Sequence, residues 1–167
     1  MTSLVINILV GFIGTVVGGV VTWVIGVRQR RLELVLQAHR DFNSADMVEI
    51  RHRASELLDS HPGQDFRELR AQLGRSVMKD IWAVQYFYQR LWLLVQYHQV
   101  DSRLVPELFG DIFSWWVQRY YLALLFSLET EPARHIEQLW RWIQEKSTPQ
   151  QRQQWSHHID SDGGATT

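Results

Sequence analysis

LVINILVGFIGTVVGGVVTWVIGV, residues 4–27, is an apolar run without one charged side chain. As a helix it reaches about 36 Å, enough to cross a bilayer with some tilt. A cleaved signal peptide would bring a basic start, a shorter apolar core and a small-residue cleavage site. Here Met1-Thr2-Ser3 has no side-chain charge, and Arg28-Gln29-Arg30-Arg31 follows the run. A helix lying on a membrane surface would need a strongly polar face, and there is none. The stretch therefore reads as a retained transmembrane helix, with membrane lipid as its first partner. Arg28, Arg30 and Arg31, together with Trp23 at the headgroup level, set the interface. By the positive-inside rule the N-terminus lies outside and the C-terminal domain in the cytoplasm, as in a single-pass protein of the inner (plasma) membrane.

The faces of this helix differ. At about 100° per residue, Asn7, Gly11, Gly14, Thr15, Gly18 and Thr22 share one stripe, opposite Phe12, Val16, Val20, Trp23 and Val27. Gly14-x-x-x-Gly18-x-x-x-Thr22 is a ladder of small residues that lets two backbones approach closely. The stripe is expected to pack against another helix, its own copy or a partner's. The alternative is that several copies turn it inward around a pore.

Composition bounds the remainder. About 140 residues follow the run, the size of one ordinary domain. They contain every Lys, Arg, Asp and Glu of the chain, 17 basic against 18 acidic. That balance leaves no basic excess to suggest nucleic acid, and no nucleic-acid partner is expected. The absence of cysteine removes disulfides, thiol nucleophiles and zinc–thiolate sites together. Eight Trp and seven Phe imply a heavily aromatic core or an aromatic contact surface.

Taken in order, the chain reads as helices throughout. Helical period continues from Arg28 to about Phe42. Asn43, followed by Asp46, reads as the cap of a helix over about 45–60, and Asp65 with Glu68 as a capping box closed by Gly74. Residues 76–100 are apolar on nearly every face from Ile81 to Val95, so other helices should surround them. Asp101 caps a segment through Leu108, Gly110 marks a restart or kink, and 111–128 forms a second aromatic helix. Pro132 stands in the first turn of the last helix. The fold class is all-α: one N-terminal transmembrane helix followed by a cytoplasmic, aromatic-rich helical bundle. Its parts are a tail at 1–3, the membrane helix at 4–27, the bundle at 28–147 and a disordered tail at 148–167.

Arg90 and Arg119 stand inside apolar runs, with Asp80, Glu107 and Asp111 as partners for buried ion pairs. The functional alternative is an anion site shared by the two arginines. Trp115-Trp116 and Tyr120-Tyr121 point in different directions on a helix, so one of each pair fills the core while the other forms an aromatic contact edge. The Glu107/Asp111 and Glu131/His135 pairs have helical spacing but lack the Glu-x-x-His of a bundle metal site, so no metal or cofactor is expected. No phosphate loop or nucleophile elbow occurs, and no enzymatic activity is expected.

The helix from Glu49-Ile50-Arg51 to Leu58, and the segment Leu104-Val105-Pro106-Glu107-Leu108-Phe109 to Trp116, resemble a family of small bacterial single-pass membrane proteins with a helical cytoplasmic domain of unknown function. The resemblance implies architecture and carries over no activity. The expected function is an interaction, scaffold or accessory subunit, a homo-oligomer or a component beside another membrane-protein subunit. A gated homo-oligomeric pore is the alternative.

Overall fold

Local capping chemistry sets most helix boundaries. In the computed structural model, residues 2–124 and 130–155 are described, with side chains from residue 14 onward. Helix α1 spans Thr2–Phe42 and α2 Ala45–Asp59. Ser44, rather than Asn43, caps α2: its hydroxyl accepts the Met47 N–H at 3.3 Å. Asn43 instead donates from Nδ2 to the His39 carbonyl at 3.0 Å, closing α1. Helix α3, Phe66–Leu73, has the expected capping box. Asp65 accepts from the Glu68 N–H at 2.8 Å, and Glu68 accepts from the Asp65 N–H at 3.2 Å. Gly74 closes it with φ of 76°, a conformation that favours glycine.

Helix α4, Lys79–Gln96, is held between α2 and α7, which explains why it is apolar on so many faces. Its end is a Schellman motif, in which the Gln99 N–H donates to Leu94 O at 2.9 Å and the His98 N–H to Val95 O at 3.0 Å. His98 occupies the left-handed position usually filled by glycine, with φ of 54°. Helix α5 spans Leu104–Trp116 and runs into a π-helical turn, Val117–Tyr121, and a short α6, Leu122–Leu124. Gly110 neither restarts nor kinks α5; it is buried within the helix, under the ring of Trp155. Helix α7, Glu131–Lys146, begins with Pro132 in its first turn and packs on α4 and α5.

The expected disordered tail at 148–167 needs correction over its first part. Residues 149–155 are helical (α8), and Trp155 is buried. Thr148 and Gln151 form a second capping box, with bonds of 2.8 and 3.2 Å, and Pro149 takes the first helical position. Residues 156–167 of that tail lie outside the described residues.

The all-α class stands, with no strand among the described residues. Among them, however, no helix is long and apolar enough to cross a membrane. This finding corrects the expected transmembrane helix over 4–27, and with it the single-pass inner-membrane location and the assigned orientation. The side chains of residues 1–13, including Asn7 and Gly11, lie outside the described residues. Among the described side chains the apolar run extends from Gly14 to Val27. Arg28, Arg30 and Arg31 then end it.

One aromatic cluster joins the helices of the core. Phe42 of α1 meets Phe87 at 4.5 Å between ring centroids, Tyr88 meets Phe113 at 4.4 Å, and Phe113 reaches Trp140 of α7 at 6.2 Å. The half-buried Arg51 lies with its guanidinium 4.0 Å from the centre of Phe42, and burial draws its pKa down.

Burial also pushes the phenols of Tyr88 and Tyr121 upward, and that of Tyr120 to about 12, with the Arg119 hydrogen bond opposing. A phenol whose pKa is raised on folding contributes stability that is present below its unfolded value. That contribution is lost as pH climbs through the folded value. Melting temperature should therefore hold up to about pH 10 and fall steeply above it. A melting temperature unchanged up to about pH 12 would show that these phenols ionise freely in the native state.

Candidate interaction surface

Helix α1 has two parts with different surroundings. Its C-terminal part belongs to the bundle, where Val35, Ala38 and Phe42 are buried against α2 and α5. The described part before it is exposed and meets the loop after α4 near its end, at residues 28–32. From Gly14 to Arg31 every residue is exposed except Val27, which is half-buried. Trp23 is 69% exposed, and Val16, Val17, Val20, Val21 and Ile25 are each about half exposed. Valine and isoleucine side chains on that much open helix leave a contiguous apolar surface, a candidate for interaction.

The small-residue stripe lies along this segment. A Cβ placed at Gly14, Gly18, Gly19 or Gly26 would meet nothing within 4 Å. These glycines therefore relieve no crowding inside the chain. Thr22 donates its hydroxyl back to the Gly18 carbonyl at 2.9 Å, which satisfies the polar group within the helix. Gly14, Gly18 and Thr22 thus form a shallow, open track along the helix.

A polar collar marks where α1 joins the bundle. The Asp101 N–H donates to the Arg31 carbonyl at 3.2 Å. The Asp101 carboxylate accepts from Arg103 Nε at 3.1 Å and Nη2 at 2.9 Å, and that contact, with Arg31 nearby, holds its pKa below the usual range. The loop after α4 therefore braces the helix at Arg31. Arg28 and Arg30 remain exposed beside it.

The other expected sites are arranged differently from their sequence reading. Arg90 is exposed, beside Ala38 and Asp41, and is not a buried ion-pair member. Arg119 pairs with none of Asp80, Glu107 or Asp111. Its Nε and Nη2 donate to Asp59 Oδ1 at 3.1 and 2.9 Å, and the Tyr120 hydroxyl donates to the same oxygen at 3.1 Å. Asp80 instead receives Arg53, Nε to Oδ2 at 2.8 Å, and Arg53 also reaches Glu49. Glu107 and Asp111 face solvent. The correction has one physical reason: an exposed pair keeps its hydration, so acids and bases meet at the bundle rim rather than in its core.

The two arginines line no common cavity, so they form no shared anion site. Arg119 borders an open cleft of about 510 Å³ with Asp59, His61, Gln64 and Tyr120. Its guanidinium is occupied there in tying the end of α2 to the π turn. Among the described residues no group of three or more His, Asp or Glu could hold a metal ion. Of the aromatic pairs, Trp116 and Tyr121 are buried, Tyr120 is nearly so, and Trp115 is half-buried. The contact edge is thus reduced to Trp115, which lies across Trp116 and Tyr120 at 5.5 and 5.4 Å.

Comparison with family models, curated proteins and solved structures finds no match to this chain.

Proposed function

We propose that the protein is a non-enzymatic assembly subunit, and that its first helix packs against the same helix of a second copy along Gly14, Gly18 and Thr22. The observation that carries this reading is the apolar part of α1 standing uncovered outside the bundle. Burial of apolar surface contributes about 25 cal/mol per Å², so a helix of this composition favours an assembled state. The glycine track decides which face meets the partner, since close backbone approach maximises contact between two helices. A parallel pair keeps the two folded domains on the same side, each braced at Arg31.

The chain has no cysteine, so single cysteines report the contact without background. Gly14→Cys, Gly18→Cys and Thr22→Cys should cross-link under mild oxidation in the full-length protein as expressed in cells. Val16→Cys and Val20→Cys should cross-link weakly, because Cα atoms more than about 7 Å apart cannot be bridged. Cross-linking that ignores the helical period, or that peaks at Val16 and Val20, overturns the proposed face. A second variant, Gly14→Leu with Gly18→Leu, should disperse the assembly in a native mass measurement.

A further inference from the structure

A second surface carries chemistry unrelated to α1. Residues of α3, of α4 and of the start of α7 line a groove of about 320 Å³. One wall is aromatic, made by Phe66, Trp82 and Tyr86, with Pro132 and Ala133 opposite. Tyr86 is 59% exposed although it lies on the central helix of the bundle. The rim is cationic. Arg67 and Arg70 stand one turn apart on α3, and a second, shallower recess shares both and adds Arg75.

The charge pattern sets this groove apart from an ordinary solvated face: among the described residues three arginines and no carboxylate line the two recesses, and Arg67, Arg70 and Arg75 make no ion pair. Gln85, largely buried, also lines the groove.

We propose that this groove binds an acidic peptide segment of a partner protein, with its carboxylates on Arg67, Arg70 and Arg75 and an apolar side chain against Trp82, Tyr86 and Phe66. The Gln85 amide, donor and acceptor at once, matches a peptide group of that segment. The planar guanidinium suits carboxylates because it presents paired donors. Three cations beside an apolar floor fit a short acidic-apolar motif, and a chain of net charge −1 has no wider basic field to hold a nucleic-acid backbone. This site stands independently of assembly through α1.

The test uses the full-length protein and a fluorescein-labelled heptapeptide, Glu-Glu-Leu-Phe-Glu-Glu-Leu, read by anisotropy. Saturable binding is expected, and Arg67→Gln with Arg70→Gln should weaken it at least about tenfold. The same peptide with Lys in place of Glu, or Ser in place of Leu and Phe, should not bind. Tyr86→Ser, at an exposed position, should weaken binding with the fold unchanged by circular dichroism. Absence of saturable binding overturns the proposal, as does equal binding by the arginine variant. A single-stranded oligonucleotide binding at least as tightly as the acidic peptide would overturn it too.

Discussion

Replacing Gly110 by alanine is expected to destabilise the protein by about 2–4 kcal/mol, although alanine favours a helix interior over glycine by about 0.5–1 kcal/mol. The reason is that a Cβ at position 110 would overlap Cζ2 and Cη2 of Trp155. The indole lies against the backbone of α5 where only glycine leaves room, so alanine expels it and α8 loses its anchor. Loss of a buried Trp costs about 3–5 kcal/mol, which outweighs the propensity gain. Chemical denaturation of Gly110→Ala, Trp155→Ala and the double variant checks this. The single variants should each be destabilised, and the double no more than Trp155→Ala alone. Once the indole is gone, Gly110→Ala should become neutral or stabilising, since only helix propensity remains. Additive losses would mean that the two residues act separately.

The second large effect is expected at Trp116, with its neighbour as the internal control. Trp116 is 1% exposed and packs on Tyr120 and Tyr121 at 5.1 and 5.8 Å, at the point where α5 passes into the π turn. Trp116→Ala should cost about 3–5 kcal/mol and lower the near-ultraviolet signal of the whole cluster. Trp115 is half-buried and offers mainly edge contacts, with the Arg119 guanidinium 5.8 Å from its ring. Its replacement by alanine should cost about 1 kcal/mol. Equal losses at the two positions would contradict the division between core and edge.

Much of the architecture is written locally. The break at residues 43–44, the Asp65/Glu68 box, Gly74 and Pro132 each act within one helical turn, so the sequence shows them directly. The box at Thr148 and Gln151 is equally local, and its signal is the same Thr-x-x-Gln pattern, here followed by Trp155. Reading 148–155 as a tail gave the glutamines more weight than the cap and the tryptophan.

The candidate sites were less legible. The small-residue stripe and the basic cluster after it are properties of one helix and follow from its period. The sequence showed which residues share a face, whereas the structure showed that the described part of that face stands uncovered. The groove beside α3 had no sequence signal as a site, because Arg67 and Arg70 become a rim only when Trp82, Tyr86 and Pro132 are brought opposite.

By itself the sequence determined that this protein is helical and where several of its helices begin and end. Tertiary structure alone decided that Arg119 meets Asp59, sixty residues away, that Arg53 meets Asp80, and that Trp155 fills the space above Gly110. The physical reason is range. Caps and helical periodicity act over three or four residues, whereas these pairings depend on the register in which whole helices dock. A helix apolar on nearly every face, as α4 is, carries little in its pattern to specify that register.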